Sequence, residues 1–206
     1  MNIMIKVYFA SKTRAVRIIW LLEELNLPYE LHRLNFTPKD LKSEEYRKIH
    51  PLGRVPVLED GEVLIYESGA IIDYVITKYR NGGLKPTAIA ENFPSYLQWF
   101  HYCEGMIMPP INTIMVQKFF LAEEKKIQQT LEQAERLLIN TLKPVNFELS
   151  AKNFLIGNFS AADIMTGHAC YQAETLGYVD KDNFPFIHKY IEKLKSRQAF
   201  DKAINL

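Results

Sequence analysis

Short apolar runs and helical apolar spacing alternate from Ile3 to Tyr79. Ile3 to Phe9 is apolar, rich in β-formers and followed by the turn-like Ala10-Ser11-Lys12, which predicts a strand. Thr13 to Asn26 carries Val16, Ile19, Trp20 and Leu22 at helical spacing, with Pro28 beyond its end, and predicts a helix. Tyr29 to Leu34 is a second short strand, and the charged stretch Lys39 to Ile49 is a modest surface helix. Val55 to Glu59 and Glu62 to Tyr66 flank Asp60-Gly61. An Asp-Gly pair between β-rich runs signals a hairpin, because both of its turn positions take positive φ. Gly69 to Tyr79 returns to helical spacing through Ile72, Val75 and Tyr79. The order is β-α-β-α-β-β-α. A βαβ unit followed by a hairpin and a helix predicts a four-stranded mixed sheet with helices on its faces.

Beyond this point the rhythm changes. Asn81-Gly82-Gly83-Leu84-Lys85-Pro86 stops the pattern as a linker, and no convincing strand follows. Phe93 to Met108 is helical, Pro109-Pro110 predicts a kink or a break, and the helix resumes toward Phe120. Lys125 to Leu142 places Ile127, Leu131, Ala134, Leu138 and Leu142 on one stripe, and Ser160 to Leu176 and Pro185 to Lys195 give two further helices. The expected architecture is an α/β domain over residues 1–80, a linker over 81–91 and an all-helical domain over 92–206.

Composition narrows the function classes. With 25 basic against 24 acidic side chains the net charge is +1, which supplies no field for nonspecific nucleic-acid binding, so that partner is not expected. No apolar stretch approaches the roughly 20 residues of a membrane span. The N-terminal apolar run is broken by Lys6 and lacks a basic n-region and a cleavage site, so it is not read as a signal peptide. Two cysteines, Cys103 and Cys170, lie far apart within helical patterns. They suit neither a disulfide framework nor a metal site, and a reducing cytoplasm is the simplest setting. The five histidines show no ligand spacing, so no metal is expected.

Four ordered patterns then carry a resemblance. Arg17-Ile18-Ile19-Trp20-Leu21-Leu22-Glu23-Glu24-Leu25 resembles the first helix of bacterial and fungal glutathione S-transferases. His50-Pro51-Leu52-Gly53-Arg54-Val55-Pro56-Val57-Leu58 is similar to their Asn-Pro-x-Gly-Lys/Arg-Val-Pro-x-Leu loop. Tyr66-Glu67-Ser68-Gly69-Ala70-Ile71 matches Glu-Ser-x-Ala-Ile, and Phe159-Ser160-Ala161-Ala162-Asp163-Ile164 looks like the capping segment of the helical domain. Together they span nearly the whole chain. The resemblance implies a thioredoxin-like glutathione-binding domain joined to a helical domain, and a homodimeric, cytoplasmic enzyme of detoxification. Such an enzyme adds the glutathione thiolate to a hydrophobic electrophile in an apolar cleft between the domains. Peroxidase or isomerase chemistry by the same thiolate, or a non-catalytic protein-interaction role, are the alternatives.

Each pattern has a physical use. The resemblance implies a cis Val55–Pro56 bond, which turns the backbone groups of Val55 outward to pair with the cysteinyl part of glutathione; the plainer reading is a proline protecting a strand end. Glu67-Ser68 opens a helix, whose unpaired N–H groups favour an anion. Ser68 suits the γ-glutamyl carboxylate and Glu67 its ammonium, against the plainer reading of Ser68 as an N-cap. Arg54, with Lys39 second, suits the glycyl carboxylate.

The sulfur belongs near the start of the first helix, where the helix field and a donated hydroxyl favour thiolate. Depending on the alignment, the donor position falls on Ser11, Lys12 or Thr13, with Ser11 leading and Thr13 second; Tyr8 lies in the strand. No cysteine stands in this loop, so disulfide exchange through a protein thiol is not expected. Phe100, His101, Glu104 and Met108 are the acceptor-pocket residues by resemblance, although an aromatic helical stripe is more often core. Ser160 and Asp163 read as a structural capping box, with the Ser160 hydroxyl capping and Asp163 reaching back.

Overall fold

A computed structural model describes residues 4–79 and 84–206. The linker residues 81–83 and the first residue of the predicted opening strand, Ile3, lie outside the described residues. The chain divides into two compact units, one made of Met1–Leu84 with Lys195–Leu206 and the other of Lys85–Leu194.

The first unit runs β1 (Ile5–Phe9), α1 (Ala15–Glu24), β2 (Tyr29–Arg33), α2 (Pro38–Leu41), α3 (Glu44–Ile49), β3 (Val57–Asp60), β4 (Val63–Tyr66) and α4 (Ser68–Tyr79). The sheet order is β2-β1-β3-β4. β1 pairs parallel with β2, Ile5 opposite Tyr29, and antiparallel with β3, Tyr8 opposite Val57; β3 and β4 form the hairpin. This is the mixed, thioredoxin-like sheet that the element order predicts.

Two local expectations change. Asp60 is paired with Val63 inside the hairpin, so the turn residues are Gly61 and Glu62, of which Gly61 alone has positive φ, +65°. Asp60 is held in the strand because its buried carboxylate Oδ2 accepts from Lys78, Tyr74 and Tyr79 of α4. The predicted helix Lys39–Ile49 is two. Thr37 caps α2 ahead of Pro38, and Ser43 interrupts the run to cap α3, its Oγ accepting from the Tyr46 N–H at 3.2 Å.

α1 has little polar surface. Its residues from Ala15 to Leu22 are all buried, Arg17 included, because α1 packs on β1 and α4 and against a further helix, α10 (Gln198–Ile204). Phe200 of α10 meets Trp20 with ring centroids 4.3 Å apart, a burial that stabilises by about 1.5–3 kcal/mol for the phenylalanine. Arg197 binds Glu24 through both Nε and Nη2, each at 2.7 Å, while the Trp20 indole N–H also donates to Glu24.

The second unit is mainly helical: α5 (Phe93–Tyr102), α6 (Met108–Met115), α7 (Gln128–Glu148), α8 (His168–Thr175) and most of α9 (Pro185–Lys195). Pro109 and Pro110 do not break the chain into two helices. The run stays helical from Phe93 to Phe120, with a π-helical turn at Cys103–Ile107 just before the prolines and another at Val116–Phe120. A wider i→i+5 turn reassigns the carbonyls and makes room for rings that cannot donate.

Asp163 reaches back to the Ser160 N–H at 2.9 Å, as a capping box does, whereas the Ser160 hydroxyl donates to Asp163 instead of capping. Leu155 N–H and the Tyr190 hydroxyl also donate to the same carboxylate. Burial pushes the Asp163 carboxyl pKa up, against those donors. It is a buried fastener of the helical unit.

Candidate functional site

The site begins at the loop before β3. The Val55–Pro56 bond is cis and lies just ahead of Val57, the first paired residue of the strand. The approach to it is held at several points. Gly53 sits at φ +58°, and a Cβ there would stand 1.9 Å from the carbonyl oxygen of Leu41, so nothing larger fits. Its N–H donates to the His50 carbonyl at 2.8 Å, and the Tyr46 hydroxyl donates to the Arg54 carbonyl at 2.7 Å. His50 is buried with its ring 4.5 Å from that of Tyr66, and its Nδ1 accepts the Leu52 N–H at 3.2 Å. Burial, with Arg54 adding to it, lowers the His50 pKa and outweighs the pull of Glu67 in the other direction, which keeps the ring a neutral acceptor. Val55 is half-buried and Arg54 exposed.

β4 passes into α4 through one residue. Glu67 is exposed and has φ +75°, a left-handed conformation that costs a side-chain-bearing residue about 1–3 kcal/mol. Its carbonyl accepts the Ile71 N–H at 2.9 Å, so Glu67 occupies the position ahead of the helix and Ser68 is the first helical residue. Ser68 is 4% exposed, and its Oγ accepts from Nη1 of Arg17 at 2.9 Å. Arg17 is fully buried, 0% exposed. No role for Arg17 follows from helical periodicity, although one signal stood in the sequence: a cation inside an otherwise apolar helical run.

The loop before α1 presents its hydroxyls differently. Ser11 Oγ donates to the main-chain oxygen of Leu206 at 2.7 Å and accepts from Nη1 of Arg33 at 3.2 Å, so its contacts run toward β2 and the C-terminal segment. Thr13 Oγ1 donates to the Ala10 carbonyl at 2.7 Å and accepts the Ala15 N–H at 3.2 Å, closing the first turn. Thr13 lies two residues before α1 begins, and its main-chain carbonyl accepts the Val16 N–H at 3.2 Å. Lys12 between them has φ +61°. Tyr8 remains in β1, where its hydroxyl donates to Glu59 at 2.8 Å and burial, with that carboxylate, raises its pKa to about 12. Lys39 is exposed on α2.

In the helical unit Phe100 and Met108 are buried, while His101 and Glu104 are exposed. Phe100 packs against Tyr96 at 5.5 Å and edge-on against His101 at 5.3 Å. Cys103 and Cys170 are buried free thiols, and burial drives the Cys170 pKa far up, which makes it inert as a nucleophile. Among the described residues no group of His, Cys, Asp and Glu is placed to hold a metal ion, and no helix is long and apolar enough to cross a membrane.

Comparison with known proteins bears on this geometry. Residues 4–77 match the sequence model of the glutathione S-transferase N-terminal domain. Glutathione S-transferase 1 of Saccharomyces cerevisiae is 28% identical over 221 aligned residues, covering 95% of this chain and 92% of the yeast protein. Glutathione S-transferase 4 of Zea mays is 30% identical, with 78% of this chain and 73% of the maize protein aligned. The crystal structure of the glutathione transferase URE2P8 from Phanerochaete chrysosporium, which contains oxidized glutathione, shares the fold with a TM-score of 0.87 at 21% identity, over 100% of this chain and 95% of the other. With the cis Val55–Pro56 loop and the Glu67-Ser68 helix start in the matched region, the chain belongs to the glutathione S-transferase family.

Proposed function

We propose that this protein binds glutathione on its first unit and transfers it, as thiolate, to a hydrophobic electrophile. The observation that carries this reading is Ser68, buried at the first position of α4 and backed by Arg17, beside an exposed Glu67 held in a left-handed conformation. Nothing in the helix itself requires that conformation, and strain of this kind gathers at binding sites. The γ-glutamyl carboxylate takes the Ser68 hydroxyl and the first N–H groups of α4, and the γ-glutamyl ammonium takes Glu67. The main chain of Val55, next to the cis Pro56, pairs with the cysteinyl residue. Arg54 meets the glycyl carboxylate, with Lys39 the second cation for it.

The sulfur lies at the start of α1. Of the two hydroxyls there, Thr13 is the better placed, because its bonds are made at the first turn of α1, whereas Ser11 is turned toward Arg33 and Leu206. Exchanging the Ala10 carbonyl for a thiolate gives the Thr13 hydroxyl a charge-assisted bond in place of a neutral one. Each unit by which this lowers the thiol pKa requires only about 1.4 kcal/mol. The thiol proton leaves to solvent, the thiolate attacks the electrophile, and its leaving group departs with the bonding pair. On the helical unit His101 and Glu104, exposed, are better acceptor contacts than the buried Phe100 and Met108.

The same reading takes the protein as a cytoplasmic homodimer concerned with detoxification. Two buried free thiols suit a reducing compartment. Edge strand β4, with Val63, Leu64 and Tyr66 exposed, offers apolar surface to a second copy. Support for the chemistry comes from relatives named as transferases and from a neighbour crystallised with oxidized glutathione.

The test is retention on immobilised glutathione, released by free glutathione, together with conjugation of an activated aryl chloride. Retention and turnover together are expected. Retention with no turnover of any electrophile or peroxide would turn the reading to a binding module, and absence of retention would end it.

A further inference from the structure

Arg17 is the fully buried cation of the first unit's central helix, and its Nη1 reaches Ser68 across 51 residues of sequence. A leucine there would complete the buried run from Ala15 to Leu22 without the cost of taking a charge out of water. The chemistry of the contact shows what the arginine does instead. A serine hydroxyl has one proton and two lone pairs, and a guanidinium only donates. With Arg17 occupying a lone pair at 2.9 Å, the Ser68 proton must point to a different acceptor. The same bond polarises the hydroxyl, making it a stronger donor than a serine left to water. Ser68 is the first residue of α4, where the unpaired N–H groups also favour an anion.

We propose that Arg17 is a positioning residue for glutathione: from behind Ser68 it fixes the serine as a donor to the γ-glutamyl carboxylate. The proposal rests on the reading of Glu67-Ser68 as the γ-glutamyl site. Arg17 touches no substrate in it, and its effect on the carboxylate passes through the Ser68 oxygen. A carboxylate that accepts from Ser68 sees an aligned O–H dipole with a fixed positive charge behind it, in a buried setting where solvent screens little.

The test is a double-mutant cycle in the full chain, reading the glutathione dissociation constant by calorimetry, with thermal melting as the check on folding. Arg17→Met and Ser68→Ala are each expected to weaken binding about tenfold, and the double variant to bind no worse than Ser68→Ala alone. Arg17→Lys, which keeps a donor, is expected to recover part of the loss. Additive losses, or unchanged affinity in a folded Arg17→Met, would overturn the proposal. If Arg17→Met does not fold, Arg17→Lys goes through the same cycle, with a loss of about threefold expected only where Ser68 is present; a loss that persists in Ser68→Ala would overturn it. Wild-type protein that does not bind glutathione, or Ser68→Ala that binds as wild type, would instead overturn the γ-glutamyl reading beneath it.

Discussion

Ser11 donates its hydroxyl proton to the main-chain oxygen of Leu206 at 2.7 Å, across 195 residues of sequence. The serine that stands first in line for the sulfur by sequence therefore fastens the C-terminal segment, while the Thr13 hydroxyl stays at the first turn of α1. Ser11→Ala should cost about 1 kcal/mol of stability and leave the titration of bound glutathione thiol where it is. Thr13→Ala should move that titration to higher pH. Absorbance of the bound thiolate across pH reads both, and a shift in Ser11→Ala alone would return the role to Ser11.

Glu67 should trade stability for affinity. Glycine adopts φ +75° without penalty, so Glu67→Gly is expected to melt at the same temperature or higher, with up to about 1 kcal/mol gained. Its glutathione affinity should fall about tenfold, since a charge-assisted bond to the ammonium is lost. Melting curves and calorimetry on one preparation check both halves; a less stable variant would show that the carboxylate holds the turn.

Gly53→Ala tests the loop that presents Val55. Its methyl carbon would fall 1.9 Å from the Leu41 carbonyl oxygen at φ +58°. Overpacking and a left-handed alanine together predict a loss of roughly 2–5 kcal/mol. Denaturant unfolding measures it, and a loss below 1 kcal/mol would mean that α2 yields easily.

Acid should loosen the hairpin through Asp60. Burial is the strongest influence on its carboxyl and pushes the pKa up, but donation by Lys78, Tyr79 and Tyr74 outweighs it and holds the pKa below 3.8. A depressed carboxyl pKa means that the unfolded chain binds more protons between the two values. The contribution is therefore complete above about pH 4 and lost as pH falls through the folded pKa. Asp60→Asn should cost about 2 kcal/mol at neutral pH and flatten the dependence of stability on pH below about pH 4. Urea titrations at stepped pH would show it.

What the sequence discloses follows from the range of the forces involved. β1, α1 and the hairpin are legible because each is written in its own burial pattern, as in Val16, Ile19 and Trp20 facing inward. The loop from His50 to Pro56 and the Glu67-Ser68 pair are legible as short contiguous patterns. Contacts set by partners far along the chain are not. Nothing near Ser43 says that Gly53 will pass against Leu41, and nothing near Glu24 announces Arg197. α10 is too short for its apolar spacing to stand out, although Phe200 completes the surroundings of Trp20. Arg17 was visible as a charge out of place, but its partner Ser68 is fixed only by the packing of α1 on α4.

The return of Lys195–Leu206 to the first unit also sets an order of events during synthesis. On the ribosome, β1 to α4 emerge early, yet Trp20 and Glu24 have no Phe200 or Arg197 to meet until the whole helical unit has been translated. The first unit is thus begun before the helical unit and completed after it. A nascent chain stalled after Leu84 would leave uncovered the side of α1 that meets α10, a ready surface for a chaperone.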